Sequence, residues 1–274
     1  MKINSITTRP TIDTNSKTLI GMIHVPALPG TPFNKLSPKE ILNKVLEEAA
    51  IFKNSNIDSI MIENMHDAPY LKRNVGPEIT SMMTIMGYEL RKVFPDKPLG
   101  AQILAGANKE ALSVALSADL DYIRGEGFVF GQISDEGFIE SDAGELLRYR
   151  RNIGAEKIKI FSDIKKKHSS NFITSDVSIG EMAKNAQFFG TDGIIITGNT
   201  TGAEVNVKEL IEANECKLPV IVGSGITTDN LSGYFPHANG FIVGSYLKKD
   251  GLWSNNIDYE RLSGLVEQFN KLKR

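Results

Sequence analysis

The chain reads as a (β/α)8 barrel, and three observations predict it. Eight short apolar runs rich in Ile, Val, Leu and Met alternate with eight helical patterns along the 274 residues. Most of the runs lack polar alternation, as parallel strands covered on both faces should. The last two runs, residues 219–222 and 240–243, open into glycine turns, Gly223-Ser224-Gly225 and Gly244-Ser245. Such turns let bare backbone N–H groups approach an anion, and a barrel holds a phosphate after its seventh and eighth strands. An open doubly wound sheet would alternate too. No Gly-x-Gly-x-x-Gly opens the first helix, however, and eight strands is high for such a sheet.

In order, strands are expected at residues 18–25, 59–63, 99–104, 122–125, 157–164, 193–197, 220–223 and 241–244. The first helix opens at Ser37-Pro38-Lys39-Glu40, with Ser as N-cap, Pro in the first turn and Glu three residues after Ser. Ile41, Val45, Leu46, Ala49 and Phe52 form its apolar stripe. Further helices are expected at residues 78–94, 109–117, 143–152, 179–189, 207–216, 229–234 and 259–272. No Pro/Gly-rich linker divides the chain. Residues 17–274 are therefore expected to form one domain behind a flexible tail, residues 1–16, rich in Ser, Thr and Asn.

Composition narrows the function classes. Hydrophobic residues make up 41% and charged residues 23%, which supports a large core and excludes a disordered chain. The net charge is −2 with no run of five like charges, which argues against a nucleic-acid footprint. Cys216 is the single cysteine; it excludes an intrachain disulfide and fits a reducing, cytoplasmic setting. No apolar stretch has the length of a membrane span. The tail carries Lys2 and Arg9 but no apolar signal core, so an organellar transit peptide is the alternative to a loose tail. A homo-oligomer is expected because symmetric dimers are the commonest assemblies of soluble proteins. Tyr246, Trp253 and Phe269 are candidates for its interface or for the core.

Polar residues at the carboxyl ends of barrel strands are the candidates for chemistry. Reading strand by strand, they are His24; Glu63 and Asn64, then Asp67; Gln102; Arg124 and Glu126, two apart and so on one face. Then come Asp163 and Lys165, followed by Lys167 and His168, and then Thr197-Gly198-Asn199-Thr200-Thr201-Gly202. Glu63 or Asp163 is expected as general base and His24 or His168 as proton donor. Lys165 beside Asp163 is a candidate base or Schiff-base nucleophile. Arg124 or Lys167 would stabilise developing negative charge. Gly198, Gly223, Ser224, Gly225, Gly244 and Ser245 would anchor the phosphate, and Asn64 and Asp67 would contact the substrate. The plain alternative for Glu63 is a structural ion pair with Arg124 or Lys165. Glu63, Asp163, His24 and His168 are the candidate ligands for a divalent metal, without a tight ligand motif.

The residues also carry a resemblance. Leu19-Ile20-Gly21-Met22-Ile23-His24-Val25-Pro26-Ala27-Leu28-Pro29-Gly30-Thr31-Pro32 resembles the opening signature of the BtpA/SgcQ family. So do Glu63-Asn64 with Asp67-Ala68-Pro69-Tyr70, Ile123-Arg124 with Glu126-Gly127-Phe128, and Thr197-Gly198 with Thr201-Gly202. Residues 221–227 and 242–251, which hold the glycine turns, match as well. The resemblance spans about residues 17 to 270 and implies a TIM barrel of the ribulose-phosphate-binding type. The family takes one name from a thylakoid-associated protein needed for photosystem I accumulation and the other from a bacterial sugar-metabolism cluster. One departure is Ser162-Asp163-Ile164-Lys165-Lys166-Lys167-His168, where the family pattern resembles Asp-Val-x-Val-Lys-His. Asp163, Lys167 and His168 are the carried positions, and Lys165 loses support.

Three readings stay open at this point. The first is an enzyme acting on a phosphorylated sugar or similar small metabolite by isomerisation, aldol cleavage or hydrolysis. The second is a non-catalytic assembly factor. The third is a barrel that holds FMN by its phosphate.

Overall fold

The computed structural model describes residues 9–10, 12–198 and 202–274. Its elements run β1 (Thr18–His24), α1 (Pro38–Lys53), β2 (Ser59–Glu63), α2 (Pro77–Val93), β3 (Leu99–Gln102), α3 (Asn108–Ser117), β4 (Tyr122–Gly125), β5 (Gln132–Ser134), β6 (Gly137–Ile139) and α4 (Ala143–Asn152). They continue β7 (Lys159–Lys165), β8 (Ser169–Ser170), α5 (Ile179–Phe188), β9 (Gly193–Ile196), α6 (Val207–Ala213), β10 (Val220–Val222), α7 (Leu231–Tyr234), β11 (Gly240–Val243) and α8 (Tyr259–Lys273). Strands β1, β2, β3, β4, β7, β9, β10 and β11 form a closed parallel barrel in that order, with β11 paired back onto β1. The eight expected strands are these eight.

Local chemistry sets the element ends. Ser37 and Glu40 satisfy each other's backbone N–H groups at the start of α1, which buries Ile41, Val45, Ala49 and Phe52. Ser178 and Glu181 repeat the device on α5. The strand expected at 157–164 runs instead over Lys159–Lys165, with a register irregularity between Asp163 and Lys165. The helix expected at 207–216 ends at Ala213. The helix expected from residue 229 starts at Leu231, because the Asn230 side chain accepts from the Thr227 N–H and belongs to the preceding turn. Strands β5, β6 and β8 form a separate antiparallel sheet from the loops after β4 and β7. Segments of two or three residues show no period for a sequence reading to find.

Alternation of side chains fills the barrel. Ile20, Met22, Met61, Tyr122, Phe161, Ile195, Ile221 and Ile242 form one buried cluster inside it. Glycines on neighbouring strands make room for the two rings. A Cβ on Gly100 would lie 2.1 Å from the Tyr122 ring, and one on Gly193 would lie 2.7 Å from the Phe161 ring. Tyr122 cannot retreat, since its hydroxyl is 2.9 Å from Ser59 Oγ and its ring 5.4 Å from that of Phe161. Gly100→Ala is therefore expected to lower the urea midpoint by the equivalent of about 1–3 kcal/mol, the usual range for overpacking; an unchanged midpoint would show that the ring can move.

Residues 1–8 and 11 of the expected tail lie outside the described residues. Of the remainder, Ile12 is buried in the same interior cluster. Arg9 reaches Asp121 Oδ1 at 2.7 Å and also pairs with Asp119. Among the described residues, no helix is long and apolar enough to cross a membrane.

Candidate active site

Strand alternation carries polar side chains to the upper interior of the barrel. His24 and Glu63 end β1 and β2 as register partners. Arg124 lies inside β4 and Asp163 inside β7, and they face each other. Arg124 Nε donates to Asp163 Oδ2 at 2.8 Å and Nη2 donates to Oδ1 at 3.0 Å. Both side chains are almost wholly excluded from water. Burial opposes the charge on Arg124, but the Asp163 carboxylate outweighs it and holds the guanidinium charged.

His24 is equally constrained. Its Nδ1 lies 2.9 Å from the Trp253 carbonyl, which assigns the proton to Nδ1 and leaves Nε2 as an acceptor. Burial first, and then the charge of Lys248, push the imidazole down to about 3. His24 is thus neutral at physiological pH. Its Nε2 is a hydrogen-bond acceptor, where the sequence expectation was a proton donor. Nε2 lies 4.0 Å from Glu63 Oε2. Glu63 is only 3% exposed, and its carboxylate makes no hydrogen bond among the described residues.

These side chains and both glycine turns line one cavity of about 230 Å³. His24, Glu63, Arg124 and Lys167 form one part of the wall; residues 223–227 and 242–246 form the other. Contact between the two parts is close. A Cβ on Gly223 would sit 3.4 Å from Arg124 Nη2 and 2.8 Å from Thr197 Cγ2, and one on Gly244 would sit 2.9 Å from His24 Nε2. Gly225 has φ +73°, and a Cβ there would meet the Ala203 carbonyl at 2.2 Å. Among the described residues, the backbone N–H groups of Ser224, Gly225, Gly244 and Ser245 donate to no acceptor. Ser224 Oγ is used locally: it accepts from Gly198 N–H at 3.1 Å and donates to the Ala203 carbonyl at 3.4 Å. Gly198 and Ser224 so fasten the loop after β9 to the turn after β10.

Other expected site residues are placed elsewhere. Lys165 points to α6, where it pairs with Glu209. His168, with φ +54°, lies at the rim with its Nδ1 3.8 Å from Asp135 and is not part of the cavity wall. Asn64 Nδ2 donates to Asp67 Oδ2 at 2.8 Å, Asp67 Oδ1 accepts from Leu28 N–H at 2.7 Å, and Asn64 Oδ1 accepts from Leu104 N–H at 2.7 Å. Asn64 and Asp67 therefore join the loops after β1, β2 and β3 beside the cavity. Asn199, Thr200 and Thr201 lie outside the described residues.

Sequence reasoning missed the Trp253 carbonyl, which fixes His24. A backbone contact across 229 residues has no sequence signal. It also missed Lys166, whose Nζ lies 3.2 Å from Glu126 Oε2 and 3.5 Å from Glu136 Oε2. Among the described residues, no three His, Cys, Asp or Glu side chains converge on a metal position. Of the four candidate ligands, Asp163 is held by Arg124 and His168 stands outside.

The neutral His24 has a measurable consequence. Unfolded, it titrates near 6.5; folded, near 3. Below 6.5 the unfolded chain takes up a proton that the folded chain does not. Stability must then fall as pH drops through that window, by up to about 1.4 kcal/mol per pH unit. His24→Gln is expected to flatten this slope in urea unfolding between about pH 7 and about pH 4. A slope identical to that of the parent chain would exclude a buried neutral His24.

Comparison with solved structures defines the class first. Thiamine phosphate pyrophosphorylase from Pyrococcus furiosus matches with a TM-score of 0.58 at 14% identity, covering 93% of this chain and 96% of that one. A 3-hexulose-6-phosphate synthase matches with a TM-score of 0.58 at 14% identity, covering 92% and 99%. Phosphoribosyl anthranilate isomerase from Thermus thermophilus matches at 0.55 and 12%, covering 93% and 99%. Likeness at these identities establishes the TIM-barrel fold.

The chain belongs to the BtpA family, whose model matches residues 15–271. It is 48% identical over 261 residues to the mitochondrial Caenorhabditis elegans protein F13E9.13, covering 93% of this chain and 94% of that one. It is 31% identical over 251 residues to the photosystem I biogenesis protein BtpA of Synechocystis sp., covering 91% and 86%.

Proposed function

We propose that the chain is an enzyme acting on a phosphorylated small metabolite, with the phosphate on the amides of Ser224, Gly225, Gly244 and Ser245. The observation that carries this reading is the cavity itself: unpaired amides and an unpaired buried carboxylate, Glu63, share one wall-to-wall space. The names of the structural neighbours, which act on phosphorylated compounds, support the same ligand class. The anchored phosphate would present the reacting carbon to Glu63 as general base. His24 Nε2 would accept a hydrogen bond from the substrate, and Arg124, held by Asp163, would face developing negative charge. Isomerisation, aldol cleavage and hydrolysis all remain within this arrangement. The mitochondrial location of the C. elegans relative supports an organellar setting over the cytoplasmic one.

Thermal shift with paired ligands tests the anchor. Ribose 5-phosphate or inorganic phosphate should raise Tm, with stabilisation of about 2.7 kcal/mol at a hundredfold excess over Kd, and ribose should not. Gly244→Ala should abolish the shift, because the added methyl enters the cavity against His24. A shift with unphosphorylated compounds alone would refute the anchor. The name of the Synechocystis relative favours a second reading, an assembly role. That reading predicts that Glu63→Gln leaves biological activity intact.

A further inference from the structure

We infer that the site takes a phosphorylated aldehyde or ketone, and that Lys167 Nζ joins its carbonyl carbon as an imine; this rests on the phosphate reading above. Four other cations around the barrel mouth have carboxylate partners. Arg124 is held by Asp163, Lys165 by Glu209, Lys166 by Glu126 and Glu136, and Lys248 by Glu48. Lys167 makes no ion pair or hydrogen bond among the described residues, although its side chain lines the cavity with Glu63 and Arg124. The two preceding lysines, Lys165 and Lys166, each pair with a carboxylate. Lys167 is placed otherwise. Burial chiefly pushes its amine down, Glu63 opposes this and Arg124 adds to it. A neutral amine is the form that attacks a carbonyl. The charge-binding role has already been given to Arg124 and the turn amides.

The step balances without an oxidant or reductant. The Nζ lone pair forms the C–N bond while the C=O π pair moves onto oxygen. Glu63 moves one proton from the nitrogen to that oxygen, giving the neutral carbinolamine, then takes a second proton from solvent and delivers it to the hydroxyl. The C–O bond then breaks and water leaves, giving a protonated imine. That cation is an electron sink for removing a neighbouring proton or cleaving the next C–C bond, and Glu63 is again the base at hand.

Reductive trapping on the full chain tests this. D-glyceraldehyde 3-phosphate with sodium cyanoborohydride should add one adduct per chain, mapped by peptide mass spectrometry to Lys167. Labelling should be at least tenfold slower with D-glyceraldehyde and should be suppressed by excess inorganic phosphate. Lys167→Arg and Lys167→Ala, each checked for folding by far-UV circular dichroism, should both lose the adduct. If inorganic phosphate raises Tm yet Lys167 stays unlabelled, the imine is overturned and the phosphate reading stands. If Lys167 is labelled equally by glyceraldehyde, and phosphate neither protects nor shifts Tm, the phosphate reading and the substrate class fall together, while the amine's reactivity survives.

Discussion

Glu63→Gln is expected to lower turnover of the phosphorylated substrate by about 10²–10⁴-fold, the usual worth of a positioned acid–base group. Stability should change by no more than about 1 kcal/mol, because no hydrogen bond is lost. Glu63 is 3% exposed, lies 4.0 Å from the neutral His24, and interacts with the charge of Arg124 without an ion pair. Keeping a carboxylate buried and unpaired is costly, and the neutral amide relieves that cost while giving up the attraction of Arg124. The two changes oppose each other. Steady-state kinetics and urea unfolding on the same preparation check both halves. The opposite pattern, near-normal turnover with a loss of about 3–5 kcal/mol, would show that Glu63 is the structural ion-pair member that the sequence left as its alternative.

Asp163→Ala should show that opposite pattern in stability. Arg124 and Asp163 are joined by two hydrogen bonds of 2.8 and 3.0 Å inside the barrel. Removing the carboxylate leaves a guanidinium buried without its counter-charge, at an expected cost of about 3–5 kcal/mol. Replacing both partners with apolar residues of similar volume, Arg124→Met with Asp163→Leu, should recover most of that loss, since no charge is then stranded. Turnover should stay low in both variants, because the guanidinium is either displaced or absent. Urea midpoints at neutral pH discriminate the cases. A loss below about 1 kcal/mol for Asp163→Ala would mean that Arg124 finds another partner and that Asp163 does not hold it.

Most of the barrel was legible because its signals are local. The capping box at Ser37 and Glu40 and the unbroken apolar strands each declare an element from a few adjacent residues. Strand ends also pointed to His24, Glu63, Arg124 and both glycine turns, which the structure gathers in one cavity. Lys167 was named from the sequence and lines the cavity, but the directions of Lys165 and Lys166 were not legible. Strict alternation would send Lys165 inward with Asp163, but the register irregularity between those two residues sends Lys165 out to α6, Lys166 to Glu126 and Lys167 into the cavity. A slip of that kind is decided by pairing with β9 and leaves no mark on composition or period. The pairing of Asp163 with Arg124, across 39 positions, was equally out of reach of any local pattern.

The small sheet of β5, β6 and β8 is tied to the same stretch of chain. β8 begins two residues after Lys167 and pairs with β5, while Glu136, in the turn between β5 and β6, reaches the ammonium of Lys166. The small sheet and the cavity-lining Lys167 thus hang from one short tether, and a substitution that breaks the β5–β8 pairing would be felt at the position of Lys167.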